Sequence, residues 1–238
     1  MPEPQPRRVT VLHDRGAARP GEQVQHVSAA LRRLGYEALI LGLSDDLDVL
    51  ASHVRGERPA LVVNLVEEFA GNPQLGPDVA AALEQLAVPF TGAGPAGLYL
   101  ARDPTLARRL LLAHGLADGP AGGPVDATDV TVAVLGNEPA DAFVPIGVAD
   151  PDDVAELALR GRAALRLRDY GLLVVRVARG GGCRLAGAVP NPPLANNGAL
   201  ARAARGAGLS YDELIQRIVT EALQRQEVTA ADLKAAKI

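Results

Sequence analysis

The sequence is poor in aromatic and sulfur-containing residues. It has no tryptophan, three phenylalanines, four tyrosines and a single cysteine, Cys183, which excludes an internal disulfide. Few aromatic rings and a net charge of -4 are unlike a surface that stacks bases and follows phosphates, so we predict no nucleic-acid partner. No apolar run reaches the length of a membrane span, and MPEPQPRRVT is unlike a signal peptide. We therefore expect no membrane partner and a cytoplasmic location.

Lysine is almost absent as well. The only two lysines, Lys234 and Lys237, lie in the last segment, and arginine supplies the remaining permanent positive charges. Any site elsewhere in the chain that needs such a charge must therefore use a planar guanidinium group instead of a compact ammonium group.

Residues 8–116 have the pattern of an α/β domain. Hydrophobic residues make up 48% of the 238-residue chain, which is enough for a sizeable core. Strand, helix and strand patterns follow one another from Arg8 to Leu41, and the apolar run Ala60–Val66 is typical of a parallel strand covered on both faces. Val88–Thr91 predicts a further short strand. We therefore predict a doubly wound, Rossmann-like N-terminal domain.

The two ends of this domain carry simpler signals. Residues 1–7 are a proline-rich lead-in that we expect to be mobile. At the other end, Asp103-Pro104 has the residue types of a helix N-cap and first helical position. We expect Leu106, Leu110 and Leu111 to form the buried face of the helix that follows.

Residues 131–226 have a different pattern, which predicts a second domain of antiparallel sheet and helices. The Gly- and Pro-rich stretch 117–130 precedes it as a predicted linker. Thr131–Leu135 predicts a strand, and Leu172–Val177 with Arg184–Val189 predicts a hairpin.

Helix starts in the chain are marked by capping residues. The acidic runs Asp45–Asp48 and Asp150–Asp153 precede helical patterns, so we interpret them as caps and not as Mg²⁺ ligands. Ser210 and Glu213 have the spacing of a capping box at the start of the last long helix. The tail, 227–238, is expected to add one helical turn or to fray.

Gly92–Gly97 matches the GxGxxG spacing of dinucleotide-binding loops. It follows a predicted strand and precedes a helical segment, but Pro95 removes a backbone donor where a phosphate needs one. The turn also lies outside the first βα unit, and no acidic residue ends a following strand at the usual distance. A structural turn is the preferred interpretation, and cofactor binding is the alternative.

The histidines and the cysteine lack metal-ligand spacing. We interpret the histidines as ordinary surface or core residues and Cys183 as a small hydrophobic residue. A glycine run, Gly180–Gly182, fits a loose hairpin turn better than an anion cradle. The four histidines are His13, His26, His53 and His114.

Some segments are specific enough to compare with a family. They are NLVEEFAGNPQL, VPFTGAGPAGLYLARDPTLARRLLLAHGL, ALRLRDYG and PNPPLANNGALARAARGAGLSYDELIQRIV. In this order they resemble the D-alanine:D-alanine ligase family of ATP-grasp enzymes. The resemblance implies a Rossmann-like (pre-ATP-grasp) N-terminal domain that holds the first amino acid, and two subdomains that clamp ATP and two Mg²⁺. It implies a reaction in which ATP phosphorylates one carboxylate and the amine of a second amino acid displaces the phosphate.

The chain departs from that family where ATP would bind. Residues 117–130 stand where the family has a whole subdomain with ATP-binding lysines, and Pro104 replaces the lysine of an Asp-Lys pair. The resemblance therefore implies that 131–226 is a reduced α+β ATP-grasp remnant. We expect no cofactor, and ATP with Mg²⁺ only if the family activity survives.

The family's metal ligands are missing too. By family order, Leu172 stands in the position of an arginine that grips the substrate carboxylate. Val174, Gly187 and Val189 stand in the positions of the metal-binding Asp, Glu and Asn. None of these side chains offers the oxygen ligands that Mg²⁺ requires, so we predict no catalytic residue and no metal site.

The expected function is that of an ATP-grasp pseudoenzyme acting in assembly or regulation, as a homodimer or beside an active ATP-grasp ligase. One alternative is a ligase component whose missing subdomain comes from a partner chain. Another is a sensor that binds a small molecule at the carboxyl ends of the N-terminal strands. The surface near His13–Glu22 and Asn64–Glu68 is the expected contact region, and Glu22, Glu67 and Glu68 are the candidate substrate-binding residues.

Overall fold

The computed structural model describes residues 7–15, 21–117 and 126–235, with side chains described as far as residue 226. The strands are β1 (Arg8–Asp14), β2 (Glu37–Leu43), β3 (Leu61–Asn64), β4 (Ala127–Leu135), β5 (Asp141–Phe143), β6 (Tyr170–Ala178) and β7 (Cys183–Val189). The helices are α1 (Glu22–Arg33), α2 (Leu47–Glu57), α3 (Gly76–Gln85), α4 (Pro95–Arg102), α5 (Pro104–Ala113), α6 (Pro151–Ala164), α7 (Ala199–Gly206) and α8 (Tyr211–Ala235). A 3₁₀ turn, Pro73–Leu75, precedes α3.

The chain divides into two compact units. Unit 1 comprises Met1–Thr91, Leu194–Asn196 and Ser210–Ile238, and unit 2 comprises Gly92–Pro193 and Asn197–Leu209. The first boundary between the units therefore falls between Thr91 and Gly92, whereas the sequence predicted a domain boundary near residue 116. The reason is that α4 and α5 pack on β7 of unit 2.

Unit 1 is built on a three-stranded parallel sheet in the order β2-β1-β3. Val11 pairs with Ile40 on one side and with Val63 on the other. All residues of β3 are buried, as the unbroken apolar run predicts for a strand covered on both faces. The mixed α/β fold class predicted from the sequence is confirmed.

The strand predicted at Val88–Thr91 is wrong, because this segment forms only an isolated bridge between Phe90 and Val62. The Val62 N–H donates to the Pro89 carbonyl over 2.8 Å, and the Thr91 N–H donates to the Val62 carbonyl over 3.0 Å. Pro89 has no N–H, so the ladder cannot extend through it.

Helix α8 begins with the predicted capping box. The Glu213 N–H donates to Ser210 Oγ over 3.3 Å, and the Ser210 N–H donates to Glu213 Oε2 over 2.7 Å. The helix packs on α1 and β3, and Arg33 holds Asp212 through two short hydrogen bonds. It therefore belongs to unit 1 and not to the second domain that the sequence predicted.

The end of α8 also differs from the predicted tail. The helix is continuous as far as Ala235, so most of the segment 227–238 prolongs α8 by more than the single turn expected. Residues 236–238 lie outside the described part of the chain. No helix in the described ranges is both long enough and apolar enough to span a membrane.

Unit 2 is built on a four-stranded antiparallel sheet in the order β5-β4-β6-β7. The predicted hairpin of β6 and β7 is present, and β4 pairs with β6 along its whole length, from Ala127 with Ala178 to Leu135 with Tyr170. Residues 127–130, predicted as linker, are therefore strand, while 118–125 lie outside the described residues. The short β5 has no sequence signal of its own.

One face of this sheet is the core of unit 2. Val132, Leu173, Val175 and Leu185 are buried, and α6 packs on β4, β6 and β7. Successive strand residues point to opposite faces, so Thr131 and Val174, which pair across β4 and β6, lie on the other face. The face not packed on α6 is the one that carries the positions compared with the family's metal ligands.

One prediction of a buried helix face, in α5, and one of a helix cap, at α6, need correction. Asp103 caps α5 as predicted, accepting from the Thr105 and Leu106 N–H groups, but Leu106 is 45% exposed. Leu106 and the buried Leu111 are five residues apart, which places them about 140° apart around the helix. Asp46 caps α2 through the Asp48 N–H, whereas Asp150, at φ 49°, makes no side-chain cap to α6.

Candidate functional site

The glycine turn, Gly92–Pro95, is held by polar side chains of unit 2. The Gly92 N–H donates to Asp169 Oδ2 over 2.8 Å, and the Ala93 N–H donates to Asn191 Oδ1 over 2.8 Å. Arg168 Nε donates to the Gly92 carbonyl over 3.0 Å. The backbone donors of Gly92 and Ala93 that a phosphate would use are therefore already bonded to the protein.

Asp169 is the centre of this arrangement. It is fully buried, at 0% exposure, and its Oδ1 accepts from Asn137 Nδ2 over 2.9 Å. Asn137 Oδ1 in turn accepts from the Asp169 N–H over 2.9 Å. A buried carboxylate persists only when hydrogen bonds replace its hydration, and these contacts provide them.

The turn also leaves no space for a side chain at Gly92. Its φ is +89°, and an added Cβ would lie 2.6 Å from Asn191 Oδ1. Pro95 opens α4 at its first position, where a missing N–H has no cost. This geometry favours a structural turn over the dinucleotide-binding alternative.

The positions compared with the family's substrate and metal ligands lie together. Leu172 pairs with Val189, and Val174 pairs with Gly187, so all four share one face of the β6–β7 hairpin, which we call the hairpin face. Leu172 is 8% exposed and Val189 is 42% exposed. The face therefore presents hydrocarbon groups where a magnesium site would need oxygen atoms.

A second arrangement lies at the carboxyl ends of the parallel strands of unit 1. Asp14, the last residue of β1, accepts from the Glu67 N–H and the Glu68 N–H, each over 3.2 Å. Asn64, at the end of β3, accepts from the Val66 N–H over 3.2 Å. These contacts fix the loop after β3.

This loop borders a cavity of about 310 Å³, the sheet-edge cavity. Ligands of open α/β sheets bind at such an edge. The lining residues are Asp14, Arg15, Leu43, Ser44, Asp45, Glu68, Ala70 and Gly71. Asp14 lies within the predicted contact region His13–Glu22, whereas Ser44 was not predicted from the sequence. Ser44 directly follows β2, and this place at a strand end could have indicated it.

The three glutamates predicted as site residues occupy different places. Glu68 lines the sheet-edge cavity, and Glu67 Oε1 accepts from Gln23 over 3.3 Å. Glu22 is next to Gln23 on α1, and its Oε1 lies 3.8 Å from His26 Nε2. Glu67 and Glu68 are thus neighbours of Asp14, Glu22 lies beyond Gln23, and residues 16–20 of the predicted contact region lie outside the described ones.

The histidines and Cys183 remain separate from these arrangements. Burial lowers the pKa of His53, which hydrogen-bonds to Thr10 over 2.8 Å, although nearby Glu57 opposes the shift. Burial and the charge of Asp153 raise the pKa of the Cys183 thiol, which makes it a poor nucleophile. Within the described ranges, no three His, Cys, Asp or Glu side chains are close enough to hold a metal ion.

Solved structures with the same fold were found by structural comparison. The D-alanine:D-alanine ligase of Bacillus anthracis, solved in complex with ATP, matches with a TM-score of 0.73 and 13% identity, covering 94% of this chain and 99% of that one. The corresponding Coxiella burnetii ligase matches with a TM-score of 0.74 and 12% identity, covering 97% and 99%. This chain has the D-alanine:D-alanine ligase fold.

The comparison confirms the fold that the sequence resemblance predicted. No protein-family model matches the sequence, and no curated protein matches it. Identities of 12–13% support the ligase fold alone, because one fold serves many functions. The features of this chain that bear on function are the glycine turn, the hairpin face and the cavities.

Proposed function

We propose that this chain is a non-catalytic protein with the ligase fold, acting in assembly or regulation. The observation that supports the proposal is the hairpin face. Its register brings Leu172, Val174, Gly187 and Val189 together, as a metal site requires, but supplies only hydrocarbon groups.

Phosphoryl transfer depends on metal ions and cationic side chains that neutralise the developing charge. The hairpin face offers no oxygen ligand, and the chain has no lysine before Lys234. Three positions that the family resemblance assigns to metal are changed together, which fits a site no longer kept for catalysis.

Phosphate release tests the absence of catalysis. The purified chain, incubated with ATP, Mg²⁺ and D-alanine, should release phosphate no faster than buffer alone, with the Bacillus anthracis ligase as positive control. Turnover above buffer by the chain alone would contradict the proposal.

An assembly role requires a partner. We propose a homodimer or a complex with an active ATP-grasp ligase in the cytoplasm. Size-exclusion chromatography with light scattering reports the first, and copurification reports the second. If phosphate release by the copurified ligase depends on this chain, the role is regulatory. Should this chain instead complete an otherwise inactive ATP-binding partner, the ligase-component alternative is correct.

The sheet-edge cavity favours a second candidate, a sensor of a small polar molecule. The cavity lining has three acidic residues, Asp14, Asp45 and Glu68, and one basic residue, Arg15. Its net negative charge suits a ligand that carries an amino group. The cavity is at the small end of the range for ligand sites, about 300–1,000 Å³.

Native mass spectrometry of the purified chain tests this candidate. We expect a bound small molecule in the original chain and its loss in Ser44→Leu, which fills the cavity. Ser52→Leu, on the exposed side of α2, is the matched control and should retain the ligand. Failure to detect a ligand, or equal retention by Ser44→Leu, would contradict the sensor function.

A further inference from the structure

Unit 2 contains a larger open cavity that neither the hairpin face nor the sheet-edge cavity includes. Its volume is about 790 Å³, within the usual range for small-molecule sites. We call it the three-helix cavity. It is lined by Ala96, Leu100, Leu110, His114, Leu116, Arg160, Ala163, Ala164 and Arg166.

Helical spacing explains how the cavity forms. Residues four apart lie on the same face of a helix, and each of three helices contributes such a pair. The pairs are Ala96 and Leu100 on α4, Leu110 of α5 with His114 at its C-terminal cap, and Arg160 and Ala164 on α6. Alanine side chains leave open the space that larger residues would fill.

The lining combines apolar and positively charged groups. The half-buried Leu100 and Leu110 provide a hydrocarbon surface, whereas Arg160 and Arg166 carry permanent positive charges. No lining residue is acidic. The carboxylate of Glu156 lies 3.9 Å from the guanidinium of Arg160 on the exposed surface of α6, where ion pairs contribute little.

Arg166 is available for a ligand. Within the described residues, the exposed guanidinium of Arg166 makes no side-chain hydrogen bond or ion pair to the protein, and the same holds for the exposed ring of His114. Two guanidinium groups beside a leucine surface match an anion with a hydrocarbon part, because an arginine can bind a carboxylate through two parallel hydrogen bonds.

We propose that the three-helix cavity binds an aliphatic carboxylate. The carboxylate contacts Arg160 and Arg166, and the hydrocarbon chain packs on the half-buried Leu100 and Leu110. The site is independent of the proposed non-catalytic function, because none of its residues belongs to the hairpin face.

Calorimetric titration with octanoate tests the chemical class. We expect saturable binding of octanoate at low salt. Octanol, with the same chain and no charge, should bind at least tenfold more weakly, and octylamine should not bind. Acetate carries the carboxylate without the long hydrocarbon group and should bind at least tenfold more weakly than octanoate. Equal binding of octanol and octanoate, or no saturable binding of octanoate, would overturn the proposal.

Variants locate the site. Arg160→Gln with Arg166→Gln removes both charges and should weaken octanoate binding at least tenfold. Ala163→Leu, at an exposed helical position that suits leucine, should reduce the affinity by filling the cavity. Arg179→Gln, an exposed arginine of the β6–β7 turn, is the matched control and should bind like the original chain. Circular dichroism checks the fold of each variant. Unchanged affinity in both cavity variants would reject this site.

Discussion

Two groups of residues share two short stretches of unit 2, 168–174 and 187–191. Arg168, Asp169 and Asn191 bond to the backbone of the glycine turn. A few residues away, the hairpin face carries Leu172, Val174, Gly187 and Val189. The first group is polar and bonded within unit 2, and the second offers no polar side-chain atom.

Burial explains the difference. Removing a polar partner from a buried backbone N–H leaves that N–H unsatisfied, which costs free energy whatever the protein's function. Asp169 is such a partner, so the fold itself requires it. A metal ligand on a partly exposed strand position is required only by the metal. Loss of metal chemistry would therefore change the hairpin face and leave the turn intact.

Asp169→Ala should have the largest effect. It leaves the Gly92 N–H and Asn137 Nδ2 without their acceptor, and alanine is strained at the φ of +64° found there. We expect the free energy of unfolding in urea to fall by about 3–4 kcal/mol. The control is Asp129→Ala, which removes an exposed carboxylate of the same unit. A loss at Asp169 no larger than that at Asp129 would show that the fold does not require the buried carboxylate.

A methyl group added in the glycine turn should destabilise the protein, whereas one added on the hairpin face should not. Gly92→Ala places a methyl group at φ +89° and against Asn191, so we expect a loss of about 2–3 kcal/mol in unfolding free energy. Gly187→Ala, on the hairpin face, meets nothing within 4 Å and should be neutral or slightly stabilising. The two urea midpoints measured side by side provide the test, and equal losses would count against it.

Oxygen ligands restored on the hairpin face should create a metal site at little cost in stability. The triple variant Val174→Asp, Gly187→Glu and Val189→Asn should lose only about 1 kcal/mol of stability, because these strand positions are partly exposed. It should also bind Mn²⁺, measured as loss of the free-ion electron paramagnetic resonance signal. The original chain is the control. Equal Mn²⁺ binding by both chains would show that the hairpin face is not the relevant site.

The smallest expected effect concerns an exposed ion pair on the same sheet. Arg176 hydrogen-bonds to Asp129 and holds the pKa of that carboxyl below its usual range. The contribution of this ion pair to the free energy of unfolding is therefore complete above the usual aspartate pKa, near 3.8. It is lost as the pH falls through the lower pKa of Asp129 in the folded protein. Asp129→Asn should flatten the acid limb of stability against pH. An unchanged slope would show that the pair contributes nothing measurable.

Local signals in the sequence were sufficient for several elements. The capping box at Ser210, the cap at Asp103 and the β6–β7 hairpin follow from short-range chemistry. The placement of α8 in unit 1 could not be predicted, since it depends on packing against α1 and β3, which are distant in sequence. The roles of Asp169 and Asn191 were missed for the same reason. Their partners in the glycine turn, Gly92 and Ala93, lie 77 and 98 residues away in the sequence.

Nucleotide binding tests whether the hairpin face still serves ATP and magnesium. The unfolding midpoint of the chain should be measured by differential scanning at increasing MgATP, with the Bacillus anthracis ligase as control. A ligand at a hundred times its dissociation constant stabilises a protein by about 2.7 kcal/mol, which is readily detected. We predict no concentration-dependent shift for this chain, and a saturable upward shift would contradict the account.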